Sequence, residues 1–165
     1  MATEGTRPIA VGLGQLVVSG EAGATIAAIG LGSCIGLVMH DRGADVGGMA
    51  HIMLPEAIGD STPPGKFADS AVPALIAELE ALGADRDRLK VKMAGGAQMF
   101  SAGSGSSSVL NVGARNGIAT RAAVQAAGLR LLAADTGGSS GRTVELVVGR
   151  GEVMVRTVGG QPTAL

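Results

Sequence analysis

Two apolar runs, Ile35 to His40 and Val46 to Leu54, flank the turn-like tetrad Asp41-Arg42-Gly43-Ala44. Neither run alternates polar with apolar residues, so the pair reads as a β-hairpin buried on both faces. The surrounding chain supplies the elements to cover it. Ile9 to Ser19 and Thr25 to Ile29 read as strands, and after the loop Ser61-Thr62-Pro63-Pro64-Gly65 the residues Val72, Leu75, Ile76, Leu79 and Leu82 recur at helical spacing. Ser70 is expected to cap that helix, Pro73 to sit in its first turn and Gly83 to end it. Leu89 to Ala94 is a further strand, followed by Gly95-Gly96 and a Gly/Ser-rich stretch, Ser101 to Ser108, that reads as a mobile loop or lid. Arg115 to Ala127, closed by Gly128, is a second helix, and Leu129 to Ala134, Arg142 to Val148 and Glu152 to Val158 are strands. With Arg150 and Gly151 as the two central turn residues, Val148 faces Val153 and Glu145 faces Arg156. This order is not a regular βα alternation, so the expected class is α+β, with helices packed on largely antiparallel sheets.

A chain of 165 residues can remove roughly 70% of its unfolded surface from water without a covalent staple. Its apolar residues are mostly Ala, Val, Leu and Ile; two Phe, no Tyr, no Trp and 28 Gly point to a core of small side chains with close backbone contacts. Thirteen basic residues against fourteen acidic ones, with no stacking aromatics, argue against nucleic acid as a partner. One Cys forms no internal disulfide, and one Cys with two His is too few for a structural zinc site. Gly12-Leu13-Gly14 lacks the frame of a dinucleotide site, and no lysine follows the Ser101 loop in P-loop spacing. No cofactor or metal is therefore expected. Met1 to Pro8 has no apolar core of a signal sequence, and no apolar window approaches eighteen residues, so a cytoplasmic protein without membrane insertion is expected.

The only cysteine ends the turn Gly30-Leu31-Gly32-Ser33-Cys34, where backbone N–H groups are free to point at an oxyanion. If Arg42 and Gly43 are the central residues of the hairpin turn, counting back along both strands puts Cys34 opposite His51, within reach of an imidazole. A free thiol near neutral pH is only a few per cent thiolate, and an adjacent imidazole can take its proton. A lone cysteine is also commonly a packing residue. His40, beside Asp41, reads as a solvated neighbour of the turn.

The blocks GLGSCIGLVMHD, GGMAHIMLPE, KFADSAVPALI, KMAGGAQMF, NVGARN and DTGGSSGR, in that order across nearly the whole chain, resemble the chemoreceptor glutamine deamidase (CheD) family. The resemblance implies one deamidase domain over residues 1–165, with a layered α/β/β/α sandwich similar to the catalytic domain of deamidating necrotizing toxins. It implies Cys34 as nucleophile and His51 as general base. Many members carry a Thr six residues before the nucleophile; this chain has Ala28, whose backbone carbonyl would then orient the imidazole. Backbone N–H groups near Gly32 and Ser33 would form the oxyanion site. Gln98 and Asn116 sit in family-like motifs and would orient substrate, or else be buried amides satisfying loop carbonyls. Arg115, Asp135 and Arg142 are read as loop-holding residues. The implied reaction converts glutamines on the cytoplasmic domains of methyl-accepting chemotaxis receptors to glutamate through a cysteine thioester. Two alternatives remain: a non-catalytic regulatory module that docks on receptors or a CheC-type phosphatase, and a cysteine amidase acting on a small molecule.

Overall fold

The computed structural model describes residues 7–99 and 111–165. The Ser101 to Ser108 loop lies outside them. In chain order the elements are β1 (Ile9–Ala10), β2 (Leu16–Ser19), β3 (Thr25–Leu31), β4 (Ile35–Asp41), β5 (Val46–Ile52), α1 (Ala68–Ala81), β6 (Lys90–Gly95), α2 (Val112–Ala126), β7 (Leu131–Thr136), β8 (Arg142–Val147), β9 (Glu152–Thr157) and β10 (Thr163–Ala164). They form two five-stranded sheets, ordered β1-β3-β8-β9-β10 and β2-β5-β4-β6-β7. Pairing is antiparallel except for β1 with β3 and β6 with β7.

The β4–β5 hairpin is buried on both faces at every residue, as the unbroken apolar runs predict. On one face Ile35, Leu37, Met39, Ala50 and Ile52 pack against Val72, Leu75, Ile76 and Leu79 of α1 and Val124 of α2. On the other, Val38, Met49 and Ala94 meet Ile26, Leu31, Val144, Leu146 and Val155 of the first sheet. The architecture is thus α+β. Among the described residues it has three layers, α/β/β, and not the expected four. The outer face of the first sheet explains why: Glu145, Glu152 and Arg156 point outward and are exposed, so that face is wetted and needs no helix.

Both hairpin registers differ from the sequence expectation, and for the same reason. The β4–β5 pairing sets Asp41 opposite Val46 and Gly36 opposite His51, leaving Arg42–Asp45 as a four-residue loop. Asp41 closes this loop with its own side chain, its Oδ1 accepting from the N–H groups of Gly43 and Ala44, while Asp45 takes up the left-handed conformation at φ 53°. The β8–β9 hairpin likewise pairs Val147 with Glu152 and carries four loop residues, closed by the Gly151 N–H donating to the Val147 carbonyl at 2.9 Å. Glu145 therefore faces Met154, and Arg156 faces Thr143.

The Ile9 to Ser19 run is two strands. β1 joins the first sheet and β2 the second, with the turn around Gly14 crossing between them. Helix α1 starts at Ala68, earlier than expected, so Pro73 falls in its second turn. Ser70 does not cap the helix; its hydroxyl donates to the Pro64 and Phe67 carbonyls. The second helix begins at Val112 with Asn111 as its cap, accepting from the Ala114 N–H. No helix among the described residues is long and apolar enough to cross a membrane.

Candidate active site

The three residues that lead from β3 into β4 have every carbonyl held. The Gly32 carbonyl accepts from Ala97 N–H at 2.9 Å and the Cys34 carbonyl from Gly96 N–H at 2.8 Å. Between them, the Ser33 carbonyl accepts from Nδ2 of Asn116 at 2.9 Å. The N–H groups of Gly32, Ser33 and Cys34 donate to no described residue. Among the described residues the acceptors of this segment are thus all engaged while three successive donors have no partner, the pattern that a site for negative charge would need.

This segment depends on Gly95. At φ 116° the backbone of Gly95 runs so close to the Cys34 carbonyl oxygen that a Cβ there would collide with it. The Gly95 carbonyl is in turn held by Nη1 of Arg142 at 2.8 Å, and Nη2 of Arg142 donates to the Gly137 carbonyl at 2.6 Å. Arg142 also lies 3.4 Å from Asp135. Arg142 and Asp135 hold loops together, as read from the sequence.

His51 is enclosed by the turn between β1 and β2. Its N–H donates to the Gln15 carbonyl and its carbonyl accepts from the Gly14 N–H, at 2.9 and 3.0 Å. The residue is 4% exposed, and its Nδ1 lies 2.9 Å from the Val11 carbonyl oxygen. A carbonyl only accepts, so Nδ1 carries the hydrogen and the neutral ring presents its lone pair at Nε2. The orienting carbonyl is thus that of Val11 and not that of Ala28. Ala28 is fully buried in the layer between the sheets, paired with Val144 on the neighbouring strand. Val11 is joined to the same strand one residue earlier, its N–H donating to the Ala27 carbonyl at 2.8 Å.

Cys34 and His51 share the face of the second sheet that looks toward the first. His51 is opposite Gly36, and continuing the register one pair past Ile35 and Ile52 sets Cys34 opposite Met53. The two residues are therefore diagonal neighbours on one face and not directly opposed. Diagonal pairs remain within reach of long or aromatic side chains. Cys34 is partly buried against the inter-sheet core, and that burial pushes its thiol pKa up. At rest Cys34 is therefore held as a thiol, which would need a base to take its proton before the sulfur could attack.

Asn116, a candidate substrate contact, is fully buried on α2. Its Nδ2 donates to the carbonyls of both Ser33 and Met53, each at 2.9 Å, so its amide hydrogens are spent inside the protein. Gln98 is partly buried at the end of the turn that follows β6, its N–H donating to the Gly138 carbonyl at 2.9 Å. Met99 lies against Gly32. His40 is not a solvated turn neighbour. It is 4% exposed, packed against Gly151, and neither ring nitrogen has a described partner. Sequence reading missed Val11, since a main-chain carbonyl leaves no mark in a sequence. The signal nearest to it was Gly12-Leu13-Gly14, which forms the turn that encloses His51.

The family model described as CheD chemotactic sensory transduction matches residues 53–157, a span that begins just after His51. Relatives that cover most of the chain extend the likeness beyond that span. The chemoreceptor glutamine deamidase CheD of Thermotoga maritima is 45% identical over 150 residues, 91% of this chain and 92% of that protein. The probable chemoreceptor glutamine deamidase CheD of Symbiobacterium thermophilum is 45% identical over 153 residues, with 91% and 92% covered. That of Methanococcus vannielii is 49% identical over 127 residues, with 76% and 80% covered. Identity at this level over nearly full length leaves no room for a different fold or lineage, and the chain belongs to the CheD family.

Proposed function

We propose that this chain is a chemoreceptor glutamine deamidase that works through a Cys34 thioester, with residues 1–165 acting as one catalytic unit. One observation carries the reading. Among the described residues the N–H groups of Gly32, Ser33 and Cys34 have no acceptor, and on the same face as Cys34 a buried histidine holds its Nδ1 hydrogen on the Val11 carbonyl, which leaves Nε2 to accept a proton. Relatives at about 45% identity bear the name of that activity.

The Cys34 sulfur attacks the side-chain carbonyl carbon of a glutamine as His51 Nε2 takes the thiol proton. The carbonyl oxygen becomes an oxyanion held by the free N–H groups, contacts of a kind worth about 3 to 4 kcal/mol in other hydrolases. The imidazolium returns the proton to the departing nitrogen, the C–N bond breaks and ammonia leaves. His51 then takes a proton from water, whose oxygen forms the new C–O bond as the C–S bond breaks. Glutamate and the free thiol result. In this reading Gln98 orients the carboxamide. The raised thiol pKa makes His51 a participant in the attack and not merely a partner of a preformed thiolate.

The test is peptide mass spectrometry of receptor cytoplasmic fragments incubated with the protein. Particular glutamines should gain about 1 Da through a thioester that Cys34→Ala cannot form. His51→Ala should slow the reaction by about 10² to 10⁴. If wild-type protein binds receptor or a CheC-type phosphatase and leaves every glutamine intact, the protein is a docking module and the catalytic reading falls.

A further inference from the structure

We infer that Asn116 is the positioning residue of the Cys34–His51 pair. This rests on the catalytic reading above. The two residues come from separate strands, and each sits beside a point at which its strand ends: Cys34 just before β4 and His51 one residue before the end of β5. The ladder between β4 and β5 stops at Ile35 and Ile52. Beyond that pair no strand pairing fixes the distance between the two chains. Asn116 does so instead. Its single amide nitrogen donates one hydrogen to the carbonyl of Ser33, which precedes the nucleophile, and the other to that of Met53, two residues after the base.

The bond lengths are equal at 2.9 Å and the side chain is fully buried. Two partly buried carbonyls would lose their donors together if the amide were removed. The clamp also has a rigid mount. Asn116 projects from the second turn of α2, whose Gly113 backbone packs so closely on Gly96 and Ala97 that a side chain at Gly113 would not fit. Those two residues are the donors that hold the carbonyls of Cys34 and Gly32. Helix, nucleophile loop and the end of the base strand thus form one braced unit. With both amide hydrogens engaged on Ser33 and Met53, Asn116 acts by fixing where the Ser33–Cys34 and His51–Met53 segments lie.

The test is a double-mutant cycle between Asn116→Leu and His51→Ala. Its readout is acetylation of Cys34 by p-nitrophenyl acetate, followed by mass and by nitrophenolate release with Cys34→Ala as background. The sulfur displaces nitrophenolate from the acetyl carbon and His51 takes the thiol proton, so the probe needs no receptor. Each single variant should slow acetylation by about 100-fold, the cost of about 1 Å of misplacement. The double variant should be no slower than His51→Ala alone, because a misplaced base has nothing left to lose. Thr120→Val, one turn along α2 and equally buried, should leave the rate near wild type. If the two effects multiply, or if Thr120→Val slows the reaction as much as Asn116→Leu, Asn116 is only structural and the inference is overturned. If His51→Ala alone changes nothing, the Cys–His reading itself fails. Should Asn116→Leu not fold, Asn116→Ser, which keeps one donor, goes through the same cycle with the same criteria.

Discussion

His51 donates its Nδ1 hydrogen to the main-chain carbonyl of Val11 at 2.9 Å, across the crossing that carries the chain from one sheet to the other. The group that holds the His51 ring is therefore a backbone atom, itself held in place by the Val11 N–H bond to Ala27. A main-chain orienter is insensitive to side-chain identity, which bears directly on the Ala at position 28.

Because Nδ1 is already engaged, a hydroxyl at residue 28 has no vacant role. Ala28→Thr should change the deamidation rate by less than about threefold, well under the tenfold that corresponds to 1.36 kcal/mol of barrier. The added atoms enter a fully buried position and should lower stability by about 1 kcal/mol. Kinetics and thermal melts of the purified variant decide this. A rate gain above tenfold would mean that the ring is oriented from residue 28 and not from Val11.

Acid sensitivity should come from the other end of the central hairpin. Burial, then the charges of Lys92, Arg42 and Lys90, push the His40 pKa down to about 4 from its ordinary 6.5, with Asp41 opposing weakly. The unfolded chain therefore binds a proton that the folded chain refuses between those values. Stability is undiminished above 6.5 and falls as pH drops from there toward 4. Asp41 continues the trend lower down. Its hydrogen bond to Arg88, helped by the N–H groups of Asp85 and Gly43, holds its pKa near 2 against an ordinary 3.8, so its contribution is lost as pH falls through that interval. His40→Leu should flatten the melting temperature between pH 6.5 and 4 and leave the slope below 4 intact. An unchanged slope in the upper window would show that His40 is protonated in the folded state.

The element order and the doubly buried hairpin were legible because apolar runs report burial directly. The common face of Cys34 and His51 was legible for a related reason. A register error of two residues returns every side chain to the same face, so the hydrophobic pattern is blind to it. That blindness is why both turns were misread. Asp41-Arg42-Gly43-Ala44 and Arg150-Gly151 look like two-residue turns, whereas Asp41 folds its carboxylate over a longer loop and Asp45 accepts a left-handed conformation. Asn116 was legible as a candidate but not in its role. The carbonyls it holds are 83 and 63 positions away, and nothing in a single sequence marks which backbone atoms a buried amide will meet.

Two glycines separate what the site requires from what the fold merely tolerates. Gly95 combines φ 116° with a Cβ direction that points into the Cys34 carbonyl oxygen. Neither obstacle can be relieved by a rotamer change, because the atom in the way is backbone. Moving it would drag Cys34 away from its bond to Gly96 and disturb the Arg142 bond to the Gly95 carbonyl. Gly95→Ala should therefore cost more than about 2 kcal/mol in stability, as strain at a special backbone angle and a broken buried network do, and whatever folds should acetylate and deamidate slowly. Gly117 stands next to Asn116 in α2, and a Cβ there meets nothing within 4 Å among the described residues. Gly117→Ala should raise stability by about 1 kcal/mol through helix propensity alone, with activity unchanged. Denaturant melts and acetylation rates on the two variants are the measurement. If Gly95→Ala melts and reacts like wild type, the Cys34 carbonyl is free to move, and the account of a nucleophile held from behind by three backbone carbonyl contacts is wrong.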